Sequence, residues 1–382
     1  MSVPRTEVPT DFGFTEDHAL LRQEARRFLV ERWPMAELRR QVDAGGRFDR
    51  GLWKEIAQLG WVGLVLPERW GGAGLGWLHL AILLEEMGRR LVPGPFLGSL
   101  LSGVALSLAG SKAQCERWGP AVASGEAIAT LALCEPGGAF EPGTLAATAE
   151  PCEGGFVLRG QKTHVLGAAD AGLVLAPFRE PSGALSLFAV ELPAAGVAIE
   201  EEVCIDPTRA TARAAFDGAR VGREARLEGD GAAALSEVLV RGAAALAAES
   251  VGGAESLLLA TRDYAVARKQ FDRPIGFFQA VKHPIVDLMV QIELARSLTV
   301  GAAAALDHAP SGAEALARMA KAQAGDAFVA AARKGVQLHG GYGFTWDCDV
   351  HFYFRRALWN RAMLGDAVHH RRRLAELLFD AS

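Results

Sequence analysis

The 382-residue sequence predicts an α+β protein with three consecutive parts: a helical domain over residues 1–124, a β domain over residues 125–230 and a helix bundle over residues 231–382. Two observations predict this order. Apolar residues recur at helical spacing in the first and last parts, and between them this pattern gives way to short strand-like runs. Half of the residues are hydrophobic and 22% are charged, so the chain can bury a large core.

In the first part, helical spacing extends from Thr15 to about Ser124. Thr15 precedes two acidic residues and is a candidate N-cap of the first helix. A glycine- and proline-rich loop, residues 66–76, joins two helical segments. Because this loop does not follow a strand, its glycines do not indicate a Rossmann dinucleotide site.

The middle part contains apolar runs at residues 155–160, 173–177 and 184–190, separated by Gly, Pro and acidic turns, and such runs are typical of strands. From about Ala232 the helical period returns in three or four long segments. These segments are interrupted at Asp272–Gly276, His308–Gly312 and His339–Gly343.

Charge and composition exclude several classes of function. The net charge is only −5 and the basic residues are dispersed, so we expect no nucleic-acid partner. The N-terminus lacks an apolar targeting segment, and the most apolar stretches are short, so we expect a cytoplasmic protein and no membrane partner. Five scattered cysteines without a CxxC pair indicate neither disulfides nor zinc. His369 and His370, followed by three arginines, predict a solvated helix face rather than a metal site.

Three local sequences carry more information than this pattern. Residues 264–276 read YAVARKQFDRPIG and are followed at 278–283 by FQAVKH, while residues 337–346 read QLHGGYGFTW. The third sequence combines LPE at 66–68 and GG at 71–72 with LEEMG at 84–88. A weaker fourth is LCEPGG at 133–138.

With these motifs the chain resembles the acyl-CoA dehydrogenase family over nearly its whole length. The motifs are similar to the family's RKQFGxPIGxFQAVxH, QxxGGxGY, PExxGG with EExG, and TEPGAGSD segments. The resemblance implies an N-terminal helical domain, a middle β-barrel domain and a C-terminal four-helix bundle. It also implies FAD as cofactor, an acyl-CoA substrate and an electron-transfer flavoprotein as electron acceptor.

Physical chemistry agrees with the first two motifs. A pyrophosphate favours a permanent cation that donates two hydrogen bonds, which Arg268 offers, and glycines allow close backbone approach. A helix predicted to begin near Asp347 would present amide groups to an anion. Taken one at a time, these features also fit a surface salt bridge and a glycine-rich turn. By the resemblance, the ADP half of an FAD whose flavin lies in a neighbouring subunit contacts Arg268, Phe271, Gln279, Gln337, Gly340 and Gly341.

The family's reaction needs a carboxylate that removes the α proton of the thioester. At the usual family position for this base the chain has Leu364, and at the second position it has Arg241-Gly242. Asp366, two residues after Leu364, is our candidate base. The alternatives are Asp347 and Glu249, and each of the three carboxylates also fits a helix cap or a buried structural acid.

The β domain departs from the family as well. By the resemblance Cys134 is a further candidate cofactor-binding residue, because it stands where the family has a threonine that serves the flavin, although a thiol is a weaker donor. On the strand that the family places over the flavin, its Trp and Thr positions read His164 and Leu166. The chain thus lacks several residues that would hold its own flavin, but it retains residues that would contact a neighbour's FAD. This combination suggests an α2β2 assembly of unlike subunits, as in bacterial members of the family that act on steroid side chains.

Three hypotheses therefore remain open. The first is an acyl-CoA dehydrogenase, either a homo-oligomer with a displaced base or the base-lacking subunit of a dimer of dimers with a paralogous partner. The second is a flavin-dependent monooxygenase or oxidase on the same fold, which needs no α-proton base. The third is a non-catalytic subunit that only completes its partner's FAD site.

Overall fold

The computed structural model describes residues 13–45 and 48–379, and over these residues the chain forms eleven α-helices and nine β-strands. The helices are α1 (Glu16–Arg32), α2 (Met35–Asp43), α3 (Arg50–Gln58), α4 (Trp77–Arg89), α5 (Phe96–Ala109), α6 (Lys112–Ala123), α7 (Gly231–Ala267), α8 (Gln279–His308), α9 (Pro310–His339), α10 (Val350–Ala362) and α11 (Ala367–Phe379). The strands are β1 (Ala129–Leu131), β2 (Thr148–Cys152), β3 (Gly155–Leu166), β4 (Leu173–Arg179), β5 (Leu185–Glu191), β6 (Val197–Glu202), β7 (Thr211–Gly222), β8 (Lys269–Gln270) and β9 (Arg273–Pro274).

The order helix, strand, helix agrees with the prediction. Helix gives way to strand between α6 and β1, and strand gives way to helix between β7 and α7, which are the intervals that contain the predicted boundaries at residues 124 and 230. By their contacts, the described residues form two compact units. Within the described residues, the first draws on 13–40, 76–92 and 243–379, and the second on 41–45, 48–75 and 93–242.

The first unit is a helical assembly. Thr15 is the N-cap of α1, as predicted, and its backbone N–H donates to Nδ1 of His18 at 3.1 Å. Helices α4 and α7 cross at glycines: a Cβ on Gly88 would lie 2.1 Å from the carbonyl oxygen of Glu249, and one on Gly252 would lie 1.8 Å from that of Glu85. The absence of side chains at these two positions therefore lets the backbones touch.

The long apolar helices α7 and α8 are largely packed inside the protein. Helices α7 and α8 are long and apolar enough to cross a membrane by length and composition alone. However, 67% of the most apolar window of α7 and 50% of that of α8 are buried inside the protein, as in core helices of a bundle. From residue 231 onward the described residues form three long helices, α7 to α9, as expected, followed by the two shorter helices α10 and α11.

The second unit is built around one sheet of seven strands. The strand order is β1-β4-β2-β3-β7-β6, with β5 paired to β4. Strands β3 and β7 form the longest antiparallel pair, and their register shifts between Lys162 and Val165. Three phenylalanines pack edge to face in the core, where the ring centroids of Phe178 and Phe216 lie 5.0 Å apart and those of Phe178 and Phe188 lie 5.7 Å apart.

Candidate cofactor and active-site residues

The first predicted motif forms a tight hairpin between α7 and α8. Arg268 follows the last residue of α7; its backbone N–H donates to Tyr264 and its carbonyl oxygen accepts from Ile275, both at 2.8 Å. Strands β8 and β9 then pair antiparallel across a two-residue turn. Both turn residues, Phe271 (φ 53°) and Asp272 (φ 61°), lie in the left-handed region.

This turn is strained, since a left-handed conformation costs an L-residue roughly 1–2 kcal/mol. The phenyl ring of Phe271 gains little in return, because the residue is 86% exposed. Asp272 stands where the family motif has glycine, which adopts this conformation without strain. A strained turn that presents an apolar ring to solvent is typical of a binding element.

The second motif ends α9. Gly340 has φ 63° and begins a 3-10 turn over Gly340–Phe344. A Cβ on Gly343 would lie 2.5 Å from the carbonyl oxygen of Val336, so that glycine is explained by packing inside the chain. A Cβ on Gly341 would meet nothing within 4 Å, and its φ is ordinary. Packing inside the chain therefore does not explain Gly341.

Tyr264 brings the two motifs together. Its ring stacks on His339 with centroids 4.3 Å apart, and its hydroxyl donates to the carbonyl oxygen of His339 at 3.3 Å. His339 is buried and its Nδ1 lies 2.8 Å from the carbonyl oxygen of Gly335, while burial lowers its pKa. The ends of α7 and α9 thus form one surface.

We call this the α7–α9 surface. It carries the predicted FAD residues Arg268, Phe271, Gln279, Gln337, Gly340 and Gly341. All six are exposed. Among the residues that the structure describes, the guanidinium of Arg268 forms no salt bridge and no hydrogen bond, so its charge and donors face solvent.

The predicted helix near Asp347 begins later, at Val350. Two carboxylates, Asp347 and Asp349, precede it, and Arg39 binds Asp349 at 2.5 Å and the carbonyl oxygen of Trp346. An anion attracted to this helix start would meet those carboxylates. These carboxylates disfavour an anion at the start of this helix, so the anion site expected there stays a prediction.

The turn between α10 and α11 contains the family's base position. Leu364 (φ 57°) is buried, and Gly365 has φ 94°. Asp366 lies just before α11, and its carboxylate accepts the backbone N–H of His369 at 2.9 Å. This bond, with a further one from Val368, holds the pKa of Asp366 below its ordinary value. Such contacts are those of an N-cap, and they weaken the carboxylate as a base.

A buried lysine supports the same turn. Lys321 of α9 is 1% exposed, and its Nζ donates to the carbonyl oxygens of Gly365 at 2.9 Å and Arg361 at 3.2 Å. His370 packs in the same region and is 2% exposed, so the prediction of a solvated face is wrong at this position. Burial is the main cause that lowers the pKa of His370 to about 3.

We expect Lys321 to shape the pH dependence of stability. Burial lowers its pKa from 10.5 to about 7. The unfolded chain keeps this proton up to its ordinary pKa, whereas the folded chain releases it near pH 7, so the unfolding free energy rises with pH between about 7 and about 10.4. In Lys321→Met this rise should be lost, as measured by urea unfolding from pH 6 to 10. An equal rise in Lys321→Met and wild type would contradict it.

The other carboxylate candidates have different partners. Glu249 of α7 is buried, and its Oε1 lies 2.5 Å from Nη1 of Arg356, which is 1% exposed. A carboxylate paired in this way is a structural acid. Asp347 is exposed, and its carbonyl oxygen accepts from the hydroxyl of Tyr342 at 3.1 Å. Arg241, at the family's second base position, binds the carboxylate of Glu237.

In the second unit, Cys134 lies at the start of a loop that a buried ion pair fixes. Its carbonyl oxygen accepts from Thr163 at 2.7 Å, and burial raises the pKa of its thiol to about 11. Glu135 binds Nζ of Lys162 at 2.7 Å and accepts the backbone N–H groups of Ala146 and Ala147. The thiol is therefore protonated and a weak donor.

Two further positions of β3 differ from a flavin-binding strand. Leu166 is buried, at 7% exposure. His164 projects outward, but its backbone N–H donates to Oε2 of Glu202 at 2.8 Å. Nothing in the sequence singled out Glu202, which lies 38 residues from His164 on β6. The sequence also gave no signal for Lys321, because only the fold brings it beneath the turn at residue 364.

Comparison with known proteins agrees with these features. Residues 15–126 match the family model "Acyl-CoA dehydrogenase, N-terminal domain", and residues 229–379 match "Acyl-CoA dehydrogenase, C-terminal domain". Acyl-CoA dehydrogenase IpdE2 of Mycobacterium tuberculosis is 32% identical over 367 residues, which are 96% of this chain and 98% of that protein.

Two solved structures are similar over almost the whole chain. One is the ChsE4-ChsE5 complex from Mycobacterium tuberculosis, with a TM-score of 0.89 and 29% identity over 98% of this chain and 100% of the other. The other is a variant of the Tcur3481-Tcur3483 steroid ACAD, with a TM-score of 0.86 and 32% identity over 97% and 99%.

Proposed function

This chain belongs to the acyl-CoA dehydrogenase family, and from that premise we propose that it acts as the base-lacking subunit of a heteromeric enzyme, completing the FAD site of an unlike neighbour. The overall reaction is the α,β-dehydrogenation of an acyl-CoA thioester. The observation that carries the proposal is a contrast. The α7–α9 surface fits the ADP half of FAD, whereas the chain's own flavin-facing strand and base position do not fit their roles.

The α7–α9 surface fits on two grounds. Gly341 leaves open space where an ordinary Cβ would stand, and the guanidinium of Arg268 is exposed with its donors facing solvent. A pyrophosphate matches that guanidinium in charge and geometry. When bound, FAD supplies the ring that accepts the substrate's β hydrogen as hydride. The role of this chain is then to bind and orient the ADP half.

The β domain does not fit a flavin of its own. The thiol of Cys134 is a weak donor, and Leu166 is buried and apolar. The backbone N–H of His164 is already bonded to the carboxylate of Glu202. We therefore assign no catalytic step to this half-site.

The base position supports the same role. Leu364 cannot accept a proton, and Glu249 is held by Arg356. Asp366 would have to give up its backbone hydrogen bonds to act as a base, and its lowered pKa reduces its basicity. The α proton is then removed by a carboxylate of the partner subunit.

An exposed apolar row on α8 supports assembly with another subunit. It consists of Val286, Met289, Val290 and Leu294, which are 53–55% exposed. Their spacing of three and four residues places them on one face of the helix. Apolar patches of this kind mark protein interfaces. The heteromeric relatives ChsE4-ChsE5 and Tcur3481-Tcur3483 favour a paralogous partner, and the latter favours a bulky steroid-derived thioester as substrate. An electron-transfer flavoprotein is the proposed acceptor.

Two substitutions of Asp366 separate a base from a cap. Asparagine keeps an N-capping oxygen but has no basicity, whereas alanine loses both. In the complex with the partner, we expect Asp366→Asn to leave the rate of flavin reduction by acyl-CoA unchanged. Asp366→Ala should lower the unfolding free energy by about 1 kcal/mol, with the same rate. If Asp366 is the base, Asp366→Asn will slow flavin reduction by roughly 10²–10⁴-fold in stopped-flow measurements.

A further inference from the structure

The outer end of β3 contains a local irregularity. The β3–β7 register is interrupted between Lys162 and Val165, and His164 lies within this bulge with φ 56°. Its side chain is 61% exposed, so burial of the imidazole does not offset the strained backbone. Bulges of this kind redirect side chains and backbone groups and are common beside binding sites.

Within the bulge, Thr163 bonds to the carbonyl oxygen of Cys134, and His164 bonds to the carboxylate of Glu202. Oε2 of Glu202 accepts the backbone N–H of His164 at 2.8 Å and lies 3.3 Å from the ring Nδ1. The Glu202 side chain is only 15% exposed. A hydrogen bond to a charged group is stronger than one between neutral groups, so it offsets the cost of the left-handed conformation. Glu202 therefore stabilises the bulge in the form observed.

The bond between Glu202 and the His164 backbone N–H disfavours ligand binding at the bulge. A backbone N–H at an outward bulge is a donor that a ligand's ring nitrogen or carbonyl oxygen would use, and here Glu202 already occupies it. The carboxylate also places a negative charge where an electron-rich acceptor would come. A competing ligand must displace this charge-assisted bond without gaining a comparable one.

We propose that Glu202 is an internal ligand that closes this chain's own flavin half-site, by occupying the His164 backbone donor on the strand that the family resemblance places over the flavin. The proposal rests on the proposed function, in which this half-site is the one without flavin. It adds the residue that keeps it closed. Cys134 and Leu166 reduce the affinity of the same half-site, and Glu202 is the residue whose removal restores a donor.

Flavin binding by the Glu202→Ala chain tests this. FMN is the probe, because it carries the flavin ring but lacks the adenosine that the α7–α9 surface would bind. Glu200→Ala is the matched control, since Glu200 is exposed on the same strand. We expect Glu202→Ala to bind FMN about tenfold more tightly than wild type, corresponding to about 1.4 kcal/mol, in fluorescence titrations, and Glu200→Ala to match wild type.

A second pair of variants keeps the test valid if Glu202→Ala alone fails to fold. His164→Gly removes the left-handed strain, because glycine adopts this φ freely, so the bulge no longer depends on Glu202. Adding Glu202→Ala to His164→Gly should again tighten FMN binding relative to His164→Gly alone. Equal FMN affinity within both pairs would overturn the proposal. A wild-type chain that retains FAD alone and is reduced by acyl-CoA would instead overturn the proposed function, which is a separate readout.

Discussion

Replacing Arg268 with methionine is expected to strip FAD from the complex of this chain with its partner while leaving the fold intact. The guanidinium is exposed and forms no bond within the described residues, so its removal leaves no buried group unpaired. A bidentate, charge-assisted contact to a pyrophosphate is worth about 1.5–3 kcal/mol, so we expect FAD to bind about 10–150-fold more weakly. Flavin absorbance after gel filtration and FAD titration of the apo-complex measure this.

Two controls define the effect. Lys269→Met removes an adjacent exposed cation from the same hairpin and is expected to leave FAD affinity nearly unchanged. Arg268→Lys keeps the charge but not the bidentate geometry, so its FAD affinity should lie between the other two. If Arg268→Met and Lys269→Met bind FAD equally well, the assignment of the α7–α9 surface is wrong.

Replacing Arg356 with methionine should destabilise the protein strongly. Arg356 and Glu249 are 1% and 5% exposed and lie 2.5 Å apart, and Arg356 also donates to the carbonyl oxygen of Leu91 at 3.3 Å. Removing the arginine leaves a buried carboxylate without its cation, which costs about 3–5 kcal/mol. Chemical denaturation of the variant measures the change in unfolding free energy.

The double variant Arg356→Met/Glu249→Leu tests the cause. When both charges are replaced by apolar groups of similar size, no buried charge remains, so much of the lost stability should return. Arg356→Met alone with nearly wild-type stability would contradict a structural role for the pair. In that case Glu249 would again be a candidate base.

Helices, strands and the breaks between them were predicted well where they depend on residues that are close in sequence. The helical spacing after Thr15, the strand runs in the middle third and the breaks near residues 272–276 and 339–343 appear as expected. The break predicted at residues 308–312 is a single residue, Ala309, between α8 and α9. Such features depend on periodicity and on breaker residues within a few positions. The ring contact between Tyr264 and His339 joins the end of α7, which Arg268 follows, to the end of α9, which Gly340 follows. The assignment of these residues to FAD stays a prediction.

Contacts between distant segments could not be predicted in this way. His370 follows a polar pattern, yet it is buried, because α11 turns this residue toward Lys321 of α9. Glu202 is an unremarkable acidic residue in the sequence, and only the order of β3, β7 and β6 brings it to His164. The helix predicted near Asp347 begins three residues later, at Val350. For His370 and Glu202, contacts between distant segments decided the outcome.

Flavin content of the purified chain, alone and after co-expression with its paralogous partner, tests the central claim most directly. We predict that the chain alone is colourless, and that the co-purified complex carries FAD, which acyl-CoA bleaches, with one FAD for each pair of unlike subunits. A yellow preparation of this chain alone, with one FAD per chain and bleached by acyl-CoA, would contradict the assignment of this subunit as the partner that completes another subunit's site.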